Sequence, residues 1–319
     1  MIIIISNPDD AHIGFVTKHL KSDYIVIDAG DVLAKKSLTY SLLNKSLEVR
    51  YNGQLLSEVT GVWVRRPRKA GTTLHPPVRD EHVDYVNDAL NAHIRQLYSL
   101  FNDATWISDN YHIARAENKV FQLVTARNLG MHVPETIVTS DPVEARTFVE
   151  SNEYVIVKPL SRYAPRLNDT VSLILWSHLV TPKKTIDYKG LHLAPSIFQK
   201  AIKPAYELRV TVVGDEVFAA KIVVKKQSVD ARDWRVDQHD EESVLMERHI
   251  LSDELSLQCR ALTKNLGLCY GAIDIIVDTD GLHWFLEINP NGQWAFVEHR
   301  TGQPIGEAIA RLLESSRDA

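Results

Sequence analysis

Two apolar runs near the carboxyl end of the chain alternate with polar residues at a period of two. Residues 272–277 read Ala-Ile-Asp-Ile-Ile-Val and residues 286–292 read Leu-Glu-Ile-Asn-Pro-Asn-Gly, with Asp-Thr-Asp-Gly between them. As the strands of one hairpin, they send Asp274, Glu287 and Asn289 to a shared face and Ile275 and Ile288 to the other. Further up the chain, a strand over Ile2 to Ile5, a helix over Ala11 to Leu20 and a strand over Tyr24 to Asp28 predict an α/β layer with a parallel sheet. Leu47 to Tyr51 and Gln54 to Leu56 flank Asn52-Gly53, a strong hairpin signal. Val62 to Arg65 reads as a strand, and Asp80 to Phe101 as one long helix. A helix over Ala114 to Leu129 stops at Gly130, Asp141-Pro142 opens a short helix, and Tyr154 to Lys158 and Val171 to Trp176 read as strands. After a strand over Ile197 to Ala201, Leu208 to Val213 pairs with Val217 to Val224 around Gly214-Asp215. Ser252 caps a helix ending near Leu266-Gly267, and Ile305 to Leu313 closes the chain as an amphipathic helix. The expected class is α/β in the first hundred residues and α+β thereafter.

Composition narrows the partners. With 319 residues and 45% apolar content the chain can bury one large or two to three small cores. A formal net charge of -5 argues against a polyanion-binding surface, so no nucleic acid is expected. The apolar opening Met1 to Ile5 is too short for a membrane span and lacks the flanks of a signal peptide, so no membrane is expected either. Cys259 and Cys269 form neither a disulfide framework nor a zinc pattern, which fits a cytoplasmic protein. Phosphate-loop, dinucleotide-binding and hydrolase-elbow sequences are absent, and the 13 histidines show no metalloprotease spacing. The basic run Arg65-Arg66-Pro67-Arg68-Lys69 follows a Trp-bearing strand and reads as the rim of a cleft.

The hairpin carries the chemistry. Two carboxylates and an amide are hard oxygen ligands, and such a set with open positions suits Mg²⁺, which completes its shell with water and substrate phosphates. The competing reading is a solvent-exposed acidic hairpin, which would have no need for Asn between Ile and Pro.

Asp274 and Glu287-Ile288-Asn289, preceded by Asn118-Lys119, Val157-Lys158-Pro159 and Phe198-Gln199-Lys200, resemble the ATP-grasp superfamily in order and spacing. Tyr206 to Gly214, Glu287 to Trp294 and Trp63-Val64-Arg65-Arg66-Pro67 sharpen the resemblance toward the peptide maturases that make microviridin-type graspetides, with RimK-type amino-acid ligases as relatives to separate from them. The resemblance implies an ATP-grasp fold with an amino-terminal pre-ATP-grasp α/β domain over 1–108, a central subdomain over 109–195 and a carboxyl-terminal subdomain carrying the magnesium site over 196–319. It also implies ATP and Mg²⁺ as cofactors, a homodimer, and a precursor peptide with a leader and an acidic core as partner.

Residue roles follow from the same resemblance. Lys119 and Lys158 are point charges suited to α- and β-phosphate oxygens, against the alternative of surface lysines. Gln199, Lys200, Ala201 and Ile202 form the hinge that offers backbone groups to adenine, although Gln199 and Lys200 read equally well as strand-end polar residues. Glu207 accepts from ribose hydroxyls, and Asn291 follows the metal ligands closely enough to assist. Arg209, Arg235 and Lys221 are the catalytic candidates: guanidinium binds a phosphoryl group or a carboxylate bidentately, and Lys221 interrupts an apolar strand. Arg235 lies in a polar stretch where a solvated loop competes. Ser161 to Arg166, where a phosphate-covering loop is expected, contains no glycine. The resulting expectation is an ATP-dependent carboxylate ligase acting through an acyl phosphate to form side-chain esters or amides in a ribosomally made peptide. A free-standing amino-acid or peptide ligase and a non-catalytic nucleotide-binding protein are the alternatives.

Overall fold

The computed structural model describes residues 1–28, 36–43, 46–67, 78–160, 177–183, 187–224 and 244–315. Arg235, the 161–166 loop, the expected strand 171–176 and the basic residues Arg68 and Lys69 lie outside the described residues.

The amino-terminal layer contains β1 (Ile2–Ile5), α1 (His12–Thr17), β2 (Tyr24–Ile27), β3 (Leu38–Leu43), β4 (Ser46–Tyr51), β5 (Gln54–Leu55), β6 (Gly61–Val64), α2 (Val83–Arg95) and β7 (Thr105–Ile107). Strands β2, β1, β6 and β7 pair in that order, all parallel. Both faces of β1 are buried, Ile3 and Ile5 on one side and Ile2 and Ile4 on the other, which is why the strand is an unbroken apolar run rather than an alternating one. Strands β3 to β5 form a separate antiparallel sheet, turned at Asn52 (φ 51°) and Gly53 (φ 81°). The long helix expected over 80–101 is helical over α2 and tightens into single 3₁₀ turns at Asp80–His82 and Gln96–Ser99.

The helix expected over 114–129 is two helices, α3 (Asn110–Ala116) and α4 (Lys119–Asn128). Asn118 takes extended backbone angles and its side chain accepts from the Phe121 N–H at 3.0 Å, so a capping residue splits an apolar pattern that periodicity alone reads as continuous. Next come β8 (Thr136–Thr139), α5 (Pro142–Glu150), β9 (Val155–Pro159), β10 (His178–Val180) and β11 (Ser196–Lys200), arranged as a sheet of order β10-β9-β11-β8. Strand β11 hydrogen-bonds within this central sheet, although the expected division at 195/196 falls just ahead of it.

The last layer holds β12 (Pro204–Val213), β13 (Glu216–Val224), β14 (Val244–His249), α6 (Asp253–Asn265), β15 (Tyr270–Asp278), β16 (His283–Asn289), α7 (Ala295–Thr301) and α8 (Ile305–Glu314). Its sheet is antiparallel with order β14-β13-β12-β15-β16. Helix α8 packs against the amino-terminal sheet: Ile305, Ile309 and Leu313 share one core with Ile2, Ile4 and Trp63. Each such aliphatic side chain contributes about 1.5–3 kcal/mol on burial. Gly61 permits the approach, since a Cβ there would fall 2.4 Å from the Leu313 carbonyl oxygen. The two ends of the chain are thereby fused, and the segment joining β16 to α7 lies against the amino-terminal layer. Among the described residues, no helix is long and apolar enough to cross a membrane.

Candidate active site

The expected hairpin forms with the expected face. Asp274 pairs with Glu287 across β15 and β16, and Asn289 pairs with Ala272 two positions along, so all three side chains project together. Ile275 and Ile288 go to the core on the other side. On the neighbouring strand Arg209 pairs with Asp274, which makes Arg209, Asp274 and Glu287 a row across three strands. Arg209 Nη1 lies 2.6 Å from Asp274 Oδ1, and Nη2 donates to the Gln293 carbonyl at 2.9 Å. Lys119, placed at the first turn of α4 by the Asn118 cap, reaches Glu287 Oε2 at 2.6 Å.

Asn289 sits between the two carboxylates, its Nδ2 donating to Asp274 Oδ2 at 3.3 Å and to Glu287 Oε1 at 3.2 Å. Its Oδ1 is buried and has no hydrogen-bond partner among the described residues. An orphaned buried acceptor costs stability. Here it stands beside two carboxylates, and a turn of the amide would add a third hard oxygen to theirs, so the residues present fit Mg²⁺.

A cleft opens between the central sheet and the carboxyl-terminal sheet. Lys158, Gln199, Lys200, Ala201, Ile202 and Glu207 line it together with Asp274 and Glu287. Lys158 donates to Gln199 Oε1 at 2.9 Å and Gln199 Nε2 donates to Thr136 Oγ1 at 2.9 Å, so the Gln199 side chain orients the lysine. The Lys200 ammonium turns outward to Glu135 at 3.4 Å, and the Lys200 N–H is taken by the Glu135 carbonyl at 2.9 Å. The Ala201 N–H is taken by the Tyr154 carbonyl at 2.9 Å and is not offered to a ligand.

Two placements differ from expectation. Lys221 pairs across the sheet with Leu208, a core residue, so the pleat turns it to the face opposite Arg209; it lies 3.3 Å from Glu247 and 4.9 Å from the Tyr206 ring centroid. The expectation that it shares the cleft is therefore corrected by strand parity. Asn291 is outside the cleft lining, and its carbonyl accepts from Arg65 Nη1. Gly292 is closely packed: a Cβ there would fall 2.4 Å from Ala272 Cβ and 2.9 Å from Arg209 Nη2.

Other contributors escaped the sequence reading. Ile156 and Ile276 supply apolar walls, and each lies two residues from an identified site residue, Lys158 and Asp274, so alternation could have found them. Leu286 could not be found that way: the register shifts between Asp274 and Ile275, and the bulge lets adjacent residues Leu286 and Glu287 both line the cleft. Gln122, fully buried on α4, accepts from the Ile288 N–H at 3.1 Å and donates to the Ile288 carbonyl at 2.9 Å. It acts as a substitute strand partner for the outer edge of β16, between Glu287 and Asn289. A glutamine on the apolar face of a helix was the available signal.

No family model and no curated protein matches this chain. Solved structures do match over almost its full length. Macrocyclase MdnC from Microcystis aeruginosa MRC, bound with precursor peptide MdnA, has a TM-score of 0.86 at 27% identity, covering 98% of this chain and 99% of its own. A Chryseobacterium gregarium RiPP-associated ATP-grasp ligase, in complex with ADP and a leader and core peptide, has a TM-score of 0.87 at 25% identity, covering 98% and 96%. The chain has the ATP-grasp fold. ATP-grasp ligase PsnB, complexed with a phosphomimetic variant of its minimal precursor, Mg and ADP, has a TM-score of 0.77 over 98% and 97% of the two chains, and its 21% identity speaks for the fold alone. In this ATP-grasp chain the cleft between the two sheets and the acidic hairpin at its mouth together form the candidate active site.

Proposed function

We propose that the protein is an ATP- and Mg²⁺-dependent carboxylate ligase that closes side-chain ester or amide crosslinks in a ribosomally made precursor peptide. The observation that carries this reading is the convergence of Lys158, the 199–202 hinge and Glu207 with Asp274 and Glu287 on one cleft, with Asn289 hydrogen-bonded to both carboxylates. In the reaction, the γ-phosphoryl group of ATP passes to a side-chain carboxylate of the peptide, giving ADP and an acyl phosphate. A hydroxyl or amine of the same peptide then attacks the acyl carbon, phosphate leaves, and a proton is released. Asp274, Glu287 and Asn289 would hold magnesium, whose charge would offset that of the phosphate oxygens. Lys158, oriented by Gln199, and Lys119 hold phosphates by charge, the hinge main chain meets the adenine edge, and Ile156, Ile276 and Leu286 cover its faces. Glu207 takes the ribose hydroxyls, and Arg209 stabilises charge at the transferred group. Arg235 belongs to the same reading as a second guanidinium.

Support for a peptide substrate comes from the MdnC and Chryseobacterium gregarium proteins, both solved with peptides bound. The leader would bind outside the cleft and raise the effective concentration of an acidic core. A cytoplasmic homodimer completes the reading. The decisive experiment is ADP and phosphate release with Mg-ATP, coupled to mass spectrometry of a precursor peptide encoded beside this gene. Loss of one water per linkage, abolished by Glu287→Gln, is expected. Mass addition of an amino acid would instead establish a free-standing ligase, and tight nucleotide binding without turnover on any such peptide would refute the ligase reading.

A further inference from the structure

The segment between β16 and α7 is held by side chains at successive polar backbone groups. Arg65 Nη1 donates to the Asn291 carbonyl, the Tyr270 hydroxyl to the Gly292 carbonyl at 2.8 Å, and Arg209 Nη2 to the Gln293 carbonyl at 2.9 Å. The Trp294 N–H donates to His12 Nε2 at 3.1 Å. Tyr270 and Arg209 come from the same sheet as the metal ligands, but Arg65 and His12 come from the amino-terminal layer, 226 and 282 residues away along the chain.

Asp10 links these two. Its Oδ1 lies 2.5 Å from His12 Nδ1 and its Oδ2 3.5 Å from Arg65 Nε. Because Trp294 donates to Nε2, that nitrogen carries no proton, so the proton sits on Nδ1 and points to Asp10. The Trp294 indole packs against the imidazole with ring centroids 5.1 Å apart at 72°. Arg65 is 1% exposed, His12 7% and Trp294 0%. Burying a guanidinium and a carboxylate costs about as much as their attraction returns, and apolar residues of similar volume would often stabilise as well. What the charged arrangement supplies that an apolar one could not is direction, because Arg65 Nη1 is aimed at the Asn291 carbonyl and His12 Nε2 at the Trp294 N–H.

We propose that Asp10, His12 and Arg65 are positioning residues, through which the amino-terminal domain sets the backbone of residues 290–294 and hence the orientation of Asn289 and Arg209 in the active site. The inference rests on the reading of Asp274, Glu287 and Asn289 as metal ligands. Gln293 is the mechanical link on one side, since its carbonyl is bound by Arg209, which in turn holds Asp274. On the other side the Gly292 N–H donates to the Asn289 carbonyl at 3.1 Å, closing the turn onto the ligand itself.

The test measures Mn²⁺ binding by electron paramagnetic resonance in the presence of ADP, using the full chain and the variants Glu287→Gln, Arg65→Lys, His12→Ala and His12→Gln. ADP binding without metal is measured beside it. Arg65→Lys and His12→Ala are expected to weaken Mn²⁺ by about 10–100-fold, the usual cost of losing a group that orients a metal ligand, with metal-free ADP binding held within about twofold. His12→Gln, which keeps an acceptor for the Trp294 N–H, is expected to recover most of the loss; equal loss in Ala and Gln would overturn the hydrogen-bonding role. Unchanged Mn²⁺ binding in Glu287→Gln would sink the metal reading. A loss there, with Arg65→Lys and His12→Ala unaffected, would sink the positioning proposal alone. Independently of any variant, hydrogen exchange in the unaltered protein should find the Trp294 amide protected, and rapid exchange would overturn the proposal.

Discussion

Arg209 and Asp274 stand opposite each other on β12 and β15 and close a 2.6 Å ion pair that is almost fully buried. The pair is poorly suited to stabilising the fold, since desolvating both charges offsets their attraction. Breaking it is another matter, because the remaining charge is then buried alone. Arg209→Ala is expected to cost about 3–5 kcal/mol of stability in urea unfolding. Arg209→Lys, which keeps the charge, should cost less while still losing the second bond to the Gln293 carbonyl. If Arg209 also stabilises the transferred phosphoryl group, kcat in the lysine variant should fall by about 10²-fold or more. A lysine variant with full turnover would confine Arg209 to a structural role.

Gln122 offers a second test, at the outer edge of the sheet. It serves both backbone groups of Ile288, which lies between Glu287 and Asn289. Gln122→Leu leaves the Ile288 N–H and carbonyl buried without their partner, at about 1–3 kcal/mol for each group. The expected result is a lower melting temperature together with weaker metal binding. Loss of stability with metal affinity intact would show that β16 keeps its course without the clamp.

Strand alternation made the shared face of Asp274, Glu287 and Asn289 legible because they belong to a hairpin whose other face is Ile275 and Ile288. Alternation along one strand could not place Lys221, which was singled out because it interrupts an apolar run: its face had to be counted from Leu208 across a strand pairing. It also could not locate Leu286, since a bulge breaks alternation at that residue. Periodicity merged α3 and α4 because apolar spacing persists through Asn118; the cap that divides them is a polar side chain, and it is what brings Lys119 to Glu287. The contacts that Gln122, His12 and Arg65 make were not legible for a common reason, although a glutamine on an apolar helix face was a signal and Arg65, read as part of a cleft rim, is in fact buried. Each acts on the backbone of a distant segment, and backbone partners leave no residue-type signature at the other end.

Gly292 has no room for a side chain. A Cβ at this position would lie 2.4 Å from Ala272 Cβ, 2.9 Å from Arg209 Nη2 and 3.1 Å from Asn289 Cβ. The arginine tip can move, but the Ala272 contact is a methyl fixed to a central strand. Gly292→Ala must therefore displace the segment that follows Asn289, by an overpacking strain of about 1–3 kcal/mol. Expected outcomes are a modest drop in melting temperature and a larger loss of ligase turnover. Turnover equal to that of the unaltered protein would show that the segment tolerates displacement.

The buried His12 makes stability depend on pH in a stated direction. Burial lowers its pKa below the usual 6.5, outweighing the opposing hydrogen bond to Asp10 and the Asp10 charge, and Arg65 and Arg66 push the same way as burial. Asp10 itself titrates at about 2: burial works to raise it, but the His12 hydrogen bonds and the Arg65 charge prevail. A histidine whose folded pKa is lowered binds its proton more readily in the unfolded chain, so its contribution is whole above pH 6.5 and is lost as pH falls through the folded value. Protonation would also place an N–H on Nε2, facing the Trp294 N–H. The melting temperature should accordingly fall between pH 7 and pH 5, and His12→Gln should flatten part of that slope. Burial lowers the pKa of His249 and His283 too, so those residues keep the variant from becoming pH-independent. Thermal unfolding of both proteins across pH 5 to 8 decides the matter: parallel slopes would mean that His12 is not held neutral in the folded protein.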